Sequence, residues 1–361
     1  MLFPIKHEKT LEDFIVNRFG RALYETFFRD YTYKVWGVPC NKIAADWGAQ
    51  RIKGFSVTRV LAHAIKKFFS SPQSIEQKNI ETSLIERFWY PKLGPGSLWE
   101  AAAEEIQKTG GRLIMEARAT GLLRDDRNGY ITGVSIRHAD GRTEILHCDH
   151  CITSMPLSEL IEQLGGSVPA SVREVARGLV YRDFMTVGVL LKKLNGDTDL
   201  KDNWIYIQEP DVHVGRLQLF HNWSPWLLQN PDKRWLGMEY FATEGDALWN
   251  LSSEEMIALA TRELEQLGFA KRADIEDAVL LRVPKAYPAY FGTYARIKEI
   301  QDFIDTIPNL WPVGRNGMHR YNNMDHSMLT AMETVKYIDS GKTAKRDIWK
   351  INSESAYHES K

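Results

Sequence analysis

The stretch VGRNGMHRYNNMD, Val313–Asp325, decides the fold because it joins a strand pattern to the last strong helix pattern of the chain. NLWPVG, which leads into it, is typical of a strand that ends at Gly314, and an amphipathic helix is predicted to begin near His326. The first amides of a helix have no partners within the helix, so anions bind well at such a junction. The stretch therefore predicts a loop that holds an anionic, phosphate-bearing ligand.

The side chains of this loop suit such a ligand. Arg315 and Arg320 offer guanidinium donors that match phosphate oxygens, and Tyr321 offers a flat ring and a hydroxyl group. Gly317 lies between the two arginines and brings backbone flexibility. Spacing alone is equally compatible with a capped loop whose arginines pair with surface carboxylates. The residues by themselves leave both interpretations open.

Composition excludes several classes of protein. The 361 residues contain 46 Lys and Arg against 47 Asp and Glu, a net charge of -1 that predicts no nucleic-acid partner. The start, MLFPIKHEKTLEDF, lacks the pattern of a signal peptide, and nowhere do 18 uncharged apolar residues follow one another, so no transmembrane segment is predicted. The length suggests two domains, and we expect a cytoplasmic protein.

The cysteines and histidines predict no metal site. Cys40, Cys148 and Cys151 are too few for a disulfide scaffold and indicate a reducing compartment. Cys148 and Cys151 form a C-x-x-C, but no second pair completes a four-ligand site, and buried thiols are the expected outcome. His221 and His326 lack metal-ligand spacing, and neither H-E-x-x-H nor a Ser-His-Asp arrangement occurs.

Helix patterns dominate the first part of the chain. From Thr10, a plausible N-cap, to about Phe69 the apolar residues recur at helical spacing, with a second helix predicted over 57–69 and a polar connection over 70–79. Phe88–Tyr90, the helix pattern LWEAAAEEIQKTGG and the apolar run RLIME (112–116) predict a βαβ unit. The turn HADGRT (138–143) predicts a hairpin. Strands dominate from Arg182 to about Tyr290, around one helix from Ser252 to Leu267.

The run GRNGMHRYNNMD resembles the C-terminal flavin loop of the UDP-galactopyranose mutases, whose pattern is G-R-x-G-x-x-R-Y-x-x-M-D. The matching residues are Gly314, Arg315, Gly317, Arg320, Tyr321, Met324 and Asp325. More broadly, the chain resembles the bacterial FAD-dependent oxidoreductases of the amine oxidase and protoporphyrinogen oxidase-like family. The segments that carry this resemblance are YTYKVWGVPCNKIAADWGAQRIKG (31–54), WYPKLGPGSLWE (89–100), DNWIYIQEPDVHVGRLQLFHNWSP (202–225) and RVPKAYPAY (282–290), and with the loop they span nearly the whole chain.

The resemblance implies an α/β (α+β) fold in which a Rossmann-like FAD/NAD(P)-binding domain is interleaved with a substrate domain of helices and a mixed sheet. We expect the FAD domain to comprise residues 88–160 and 299–340. The substrate domain is then expected to comprise the helical residues 1–87 and the sheet residues 161–298, and 341–361 form a tail.

The resemblance also implies FAD as the cofactor and assigns roles to residues. The expected FAD-binding residues are Gly94, Gly96, Gly314, Arg315, Gly317, Met324, Asp325, His326 and Ser327. The strand Arg112–Glu116 is expected to pass the adenine side of FAD. Lys285 would hold a water near the flavin, although a solvated lysine explains it too, and Arg320 and Tyr321 would face substrate. These three are the expected catalytic residues.

The middle sheet carries an expected substrate site. Its arginine and aromatic residues suit a nucleotide sugar or another planar anionic small molecule, although aromatic core packing explains most of them as well. The residues are Arg182, Trp204, Arg216 and Trp223, with Tyr240 beside them.

The opening of the chain departs from the family. Its members begin with a strand, a G-x-G-x-x-G turn and a helix that hold the FAD diphosphate, and MLFPIKHEKTLEDF does not match that unit. The internal run Gly94-Pro95-Gly96-Ser97-Leu98-Trp99 does not replace it, because Trp99 takes the place of the third glycine and Pro95 removes an amide donor. We therefore expect a Rossmann-like domain that is incomplete at its N-terminus.

Three functions follow. The first is a FAD-dependent oxidoreductase acting on a small molecule, and the second is a mutase-like enzyme of a nucleotide sugar. The third is a catalytically silent fragment, or a subunit that completes its site with a partner chain. A chain without the opening strands would expose a parallel sheet edge and an apolar face, which predicts self-association or another partner.

Overall fold

The computed structural model describes residues 5–45, 47–48, 88–196 and 200–351. The helix expected over 57–69 and the polar connection expected over 70–79 lie outside these ranges. The α-helices are α1 (Leu11–Phe19), α2 (Arg21–Leu23), α3 (Arg29–Trp36), α4 (Gly96–Lys108), α5 (Leu157–Gln163), α6 (Ala170–Arg177), α7 (Phe220–Trp223), α8 (Ser253–Gln266), α9 (Ile297–Asp305), α10 (Gly314–Gly317), α11 (Met324–Asp339) and α12 (Arg346–Lys350). A π-helix spans Tyr24–Phe28, and 3-10 helices span Cys40–Lys42, Gly165–Ser167, Pro225–Leu227, Arg272–Asp274 and Thr293–Arg296.

The strands of the described residues form three sheets and make this an α/β protein, as expected. They are β1 (Ala117–Arg124), β2 (Ile131–His138), β3 (Thr143–His147), β4 (Cys151–Thr153), β5 (Leu179–Leu191), β6 (Trp204–Tyr206), β7 (Arg216–Leu219), β8 (Arg234–Ala242), β9 (Ile275–Gly292) and β10 (Leu310–Pro312). The strand orders are β1-β2-β3, β10-β4 and β6-β7-β8-β5-β9.

The described residues divide into two compact units. The first takes those up to Gly110 together with Asp183–Pro284, and the second takes Gly111–Arg182 together with those from Lys285 to Ile351. The division falls inside two long strands, β5 and β9. The domain bounds expected from the sequence stay a prediction.

The first unit is built on the five-stranded sheet. Alternate residues of β5, β7 and β8 point to one side, where they bury an apolar core with the inner face of α8. Helix α8 begins as predicted, since the Ser252 side chain accepts from the Glu255 amide and the Glu255 side chain accepts from the Ser252 amide. Thr10 and Asp13 form the same capping box at α1.

The second unit contains the hairpin and the parallel pair. Strands β2 and β3 pair antiparallel around the HADGRT turn, so the predicted hairpin is confirmed. Strands β4 and β10 pair in parallel, with Thr153 opposite Pro312 at their carboxyl ends. Helices α5, α6 and α9 pack their apolar faces into one core with β10. The loop of interest therefore leaves the end of a parallel strand.

The predicted βαβ unit is wrong. Its helix forms as α4, but neither Phe88–Tyr90 nor Arg112–Glu116 is a strand, and the strand that does form begins at Ala117. A strand requires a neighbour that completes its hydrogen bonds, and within the described residues the ladder with β2 begins only at Ala117, apart from the Glu116 carbonyl, which accepts from the Ala139 amide at 2.9 Å. Leu113 and Met115 are exposed as a result.

Helix α11 presents its apolar side to solvent. Its fully buried residues are the threonines Thr330 and Thr334, one turn apart, whereas Met328, Met332 and Val335 are exposed. This inverts the usual burial pattern of an amphipathic helix.

Candidate functional site

The loop after β10 passes over the carboxyl end of β4. Val313 donates its amide to the Thr153 carbonyl at 2.9 Å, and a Cβ at Gly317 would lie 2.7 Å from the same oxygen. Gly314 has a φ of 73°, and its amide donates to Thr330 Oγ1 at 2.9 Å. The two glycines that the sequence singled out thus let the backbone approach the strand ends and turn into α10. Ligands of parallel α/β sheets bind at this edge.

The Arg315 side chain bonds to backbone carbonyls in and beside the loop. Its Nε donates to the Asn322 carbonyl at 2.8 Å and its Nη1 to the Ala286 carbonyl at 3.1 Å. The guanidinium lies 4.6 Å from the ring centre of Tyr321 and 5.4 Å from that of Tyr287, and these two rings stack at 5.6 Å. Arg315 therefore fixes the shape of the loop, and neither of these two nitrogens faces a surface acid.

Arg320 differs from Arg315 in its partners. Its Nη1 atom is buried and has no hydrogen-bond partner within the described ranges. Four residues later α11 begins at Met324, and no described side chain caps its N-terminus. The amides of Met324, Asp325 and His326 have no carbonyl partner inside the helix. Ser327, by contrast, donates Oγ to the Asn323 carbonyl at 3.0 Å, and Asp325 pairs with His326 Nδ1 at 3.1 Å.

His319 belongs to this loop although the sequence did not single it out. It adopts a φ of 46°, which is rare for a residue with a side chain, and it is almost completely buried. Its Nε2 lies 3.0 Å from the Ala289 carbonyl and therefore carries the proton. Burial lowers the pKa of His319 to about 4, so the ring is neutral. A lone histidine beside a glycine motif gave no signal of this strained, buried role.

Lys285 is held by an acid. Its Nζ lies 3.0 Å from Glu159 Oε1, whose other oxygen lies 3.1 Å from Arg118 Nη2. Its backbone φ is 52°, in the left-handed region that few lysines adopt. Lys285 is therefore held in an ion pair, which the alternative of a merely solvated lysine did not predict. The expected role near a flavin stays a prediction.

The turn with Gly94 and Gly96 lies in the first unit. Gly94 has a φ of 90°, and its carbonyl accepts from Ser97 Oγ at 2.7 Å. Gly96 begins α4 with open space around it. The Trp223 ring lies against Tyr90 of the same turn at 5.2 Å, and its indole nitrogen donates to the Asn203 carbonyl at 3.1 Å.

Arg216 and Trp204 meet on the face of the five-stranded sheet opposite the apolar core. Arg216 pairs with Glu239, and both side chains are buried. The guanidinium lies 4.7 Å from the Trp204 ring and 4.9 Å from the Phe241 ring. Burial raises the pKa of Glu239 although Arg216 and Gln218 act to lower it. Trp204 itself stays partly exposed, so one ring of this group is open to a ligand.

Tyr240 and Arg182, which the sequence also singled out, are both buried. Tyr240 is fully buried in the core beneath the sheet, and burial raises its pKa well above the usual value. Arg182 is buried at the end of the second unit's part of β5. Cys40, Cys148 and Cys151 are free thiols, and burial raises the pKa of Cys151 to about 11. Within the described ranges no group of three or more His, Cys, Asp or Glu is placed to hold a metal, and no helix has the length and apolarity to cross a membrane.

Solved structures share this architecture. A crystal structure of reduced UDP-galactopyranose mutase matches with a TM-score of 0.69 and 18% identity, covering 95% of this chain and 69% of that chain. A protein assigned as a protoporphyrinogen oxidase from Exiguobacterium sp. 255-15 matches with a TM-score of 0.65 and 12% identity, covering 94% and 69%. This chain has their fold. A CLA-producing fatty acid isomerase from P. acnes also matches, with a TM-score of 0.57 and 14% identity over 91% of this chain and 67% of that one.

The likeness is one of structure. No model of a known protein family matches the sequence. At 12–18% identity the matches show the fold alone and leave the reaction open. The expected recognition of a fold shared by mutases and protoporphyrinogen oxidase-like proteins is confirmed at this level.

Proposed function

We propose that the chain is a FAD-dependent oxidoreductase that acts on a small molecule and holds FAD at the loop Val313–Asp325. The observation that carries the proposal is Arg320, whose Nη1 atom is buried without a described partner. Leaving a charged donor buried and unpaired costs free energy, and an anionic ligand would offset that cost. The diphosphate of FAD is such an anion.

The surroundings of Arg320 fit a diphosphate. Gly314 and Gly317 keep the backbone bare at the ends of two parallel strands. The first amides of α11 add donors and the positive end of a helix of 16 residues. We assign FAD binding in this unit to Gly314, Gly317, Arg320 and the α11 amides, and we assign Arg315 to the shape of the loop.

When bound, FAD would supply the hydride acceptor, and the electrons would then pass to oxygen or a quinone-type compound. The side chains of this protein would bind FAD and the substrate and orient them. Tyr321 presents a ring that stacks on Tyr287, and Lys285 keeps its ammonium group fixed by Glu159. We propose these two as the residues that face substrate, with Lys285 holding a water by hydrogen bonding, and we assign Arg320 to the diphosphate instead of the substrate. The substrate roles of Arg182, Trp204, Arg216 and Trp223 are part of the same proposal.

Flavin binding tests the proposal directly. The purified chain is titrated with FAD while the quenching of flavin fluorescence is followed, and the bound complex is examined for the visible flavin band. We expect saturable binding, and Arg320→Gln is expected to raise the Kd at least tenfold because a charged hydrogen bond to phosphate is lost. Arg142→Gln is the matched control, since Arg142 is exposed and its ion pair among the described residues is with the neighbouring Asp140. A wild-type chain that takes up no FAD even after reconstitution would refute the proposal.

A second function is a mutase acting on a nucleotide sugar. It is favoured by the match to reduced UDP-galactopyranose mutase at a TM-score of 0.69, together with the loop that resembles the mutase pattern. The two functions differ in electron balance. A mutase needs prior reduction, interconverts UDP-galactopyranose and its ring isomer, and leaves the redox state unchanged. An oxidoreductase bleaches the flavin band with substrate and consumes an acceptor.

A further inference from the structure

His319 occupies a backbone position that usually carries glycine. The Arg320 amide donates to the Arg315 carbonyl at 2.9 Å, and the His319 amide donates to the Asn316 carbonyl at 3.2 Å. These two bonds form a Schellman motif at the end of α10, in which His319 is the left-handed residue with a φ of 46°. Glycine adopts this conformation without steric cost, whereas a Cβ atom makes it strained. A histidine at this position therefore needs a reason that lies in its side chain.

The imidazole of His319 links the loop to strand β9. Its Nε2 atom donates to the Ala289 carbonyl at 3.0 Å. The ring packs edge-on against Tyr181 at 4.7 Å and lies 5.9 Å from the Tyr294 ring. His319 is 1% exposed, so the surrounding protein determines where the ring lies. Strained backbone of this kind persists where its surroundings over-determine it, and it is concentrated at active sites and ligand-binding segments.

Arg320 follows His319 directly, and its backbone is held on the other side as well. The amide of the next residue, Tyr321, donates to the Tyr290 hydroxyl at 2.9 Å, and the Arg320 carbonyl accepts from the Asn322 amide at 2.8 Å. The Nη1 atom of Arg320 is nevertheless buried without a described partner. An arginine whose backbone is fixed in this way has less conformational entropy to lose when it binds an anion.

We propose that His319 is a positioning residue that holds the Arg320 guanidinium ready for the diphosphate of the cofactor. The proposal rests on the FAD site proposed above, and it assigns to His319 an effect that passes through Arg320 instead of through a contact with the ligand. Arg315 does not depend on the imidazole, because its own Nε and Nη1 atoms donate to carbonyl oxygens. Loss of the imidazole should therefore make Arg320 mobile and leave Arg315 in place.

The variant His319→Gly removes the side chain and keeps the backbone. Glycine suits the left-handed conformation and the Schellman motif, so the loss is confined to the imidazole and its bond to Ala289. Nitrogen-15 NMR relaxation measures the mobility of the Nε–Hε groups in the ligand-free chain, with the two signals assigned through Arg320→Gln and Arg315→Gln. We expect the Arg320 order parameter to fall from about 0.85 in wild type to below about 0.6 in His319→Gly. The Arg315 order parameter should keep its wild-type value.

His147→Gly is the matched control. The exposed His147 ring lies 3.2 Å from the Thr132 carbonyl, and glycine there weakens the hairpin of β2 and β3 instead of the loop. Both arginines should stay ordered in this variant. A mobile Arg320 in wild type, or an ordered Arg320 in His319→Gly, would overturn the proposal. Equal loosening of Arg315 and Arg320 in His319→Gly would also overturn it, since His319 would then stabilise the loop as a whole.

Ligand binding separates this proposal from the FAD site on which it rests. FAD and inorganic pyrophosphate are each titrated into wild type, His319→Gly, Arg320→Gln and the double variant. We expect His319→Gly to raise the Kd about tenfold or more, but to change it less than about twofold in the Arg320→Gln background, because its effect passes through Arg320. This coupling with either ligand supports the proposal.

The failures of the two proposals differ. Binding of FAD that His319→Gly leaves unchanged, or weakens equally in both backgrounds, would overturn the role of His319 and leave the FAD site intact. Coupling with pyrophosphate in a chain that takes up no FAD would overturn the FAD site and leave the role of His319 intact. A wild-type chain that binds neither ligand would overturn both.

Discussion

A Cβ atom at Gly317 would lie 2.7 Å from the carbonyl oxygen of Thr153, which is closer than side-chain carbons approach backbone atoms. The loop thus rests on the end of β4 only because this position has no side chain. Gly314 has a different reason to be glycine. Its φ of 73° lies in the left-handed region, but a Cβ there would meet nothing nearer than Ser327 at 3.8 Å.

These two glycines should respond differently to alanine. We expect Gly314→Ala to lower the free energy of unfolding by about 1 kcal/mol through backbone strain. Gly317→Ala should cost about 2–3 kcal/mol, since either the loop or β4 must move. Urea denaturation of both variants measures the difference. If Gly317→Ala is as stable as wild type, the contact with Thr153 is not the reason for the glycine.

The sequence predicted this loop well and its arginines poorly. The strand, the two glycines and the helix that begins at Met324 follow from local patterns, and so does the resemblance that carried the fold. The different roles of Arg315 and Arg320 do not follow from local patterns. Arg315 bonds to the Ala286 and Asn322 carbonyls, and only the tertiary structure brings these carbonyls within its reach. A motif shows which residue types occur but not which donors are already used.

The buried pair Arg216 and Glu239 should be strongly coupled. Arg216→Met leaves a buried carboxylate without its guanidinium partner and is expected to cost about 3–5 kcal/mol of unfolding free energy. The double variant Arg216→Met with Glu239→Met should recover most of that loss, because no uncompensated charge remains. A double-mutant cycle by denaturation measures the coupling. Additive effects of the two single substitutions would contradict the expectation.

His319 should make stability depend on pH in the acidic range. Its folded-state pKa is about 4, below the ordinary value of 6.5, so the unfolded chain binds more protons in this window. Stability should therefore fall as the pH drops from 6.5 to 4, by an amount on the order of 3 kcal/mol from this group. In the variant His319→Asn the asparagine tolerates the left-handed backbone and does not titrate in this range. The variant should therefore lose less stability than wild type between pH 6.5 and 4. Equal pH profiles would show that His319 is not buried in its neutral form.

The parts that the sequence misjudged share one cause. RLIME has a strand composition, but a strand exists only with a neighbour, and its local sequence cannot provide one. The apolar stripe of α11 predicts an inward face for the same reason, yet the described residues bury Thr330 and Thr334. The local sequence pattern shows which secondary structure a segment can form. Strand pairing and side-chain burial depend on the segments that pack beside it.

Lys345 should make the free energy of unfolding depend on pH in the alkaline range. It is 2% exposed, its Nζ donates to the Ile307 carbonyl at 2.9 Å, and the ammonium lies 4.9 Å from the Trp311 ring centre. Burial lowers the pKa of Lys345 to about 8 from 10.5, with nearby Asp305 opposing the change. Above pH 8 the folded chain releases a proton that the unfolded chain keeps.

Stability should therefore rise between pH 8 and pH 9.5, by up to about 1.4 kcal/mol per pH unit from this group. Lys345→Met keeps the aliphatic contact with Trp311 and removes the titration, so its stability should change less over the same range. Lys342→Met is the matched control, because Lys342 is exposed and lies over the Tyr337 ring on the surface. Urea denaturation at pH 8, 8.75 and 9.5 measures all three proteins. If the Lys345→Met variant keeps the wild-type slope, the buried ammonium is not its source.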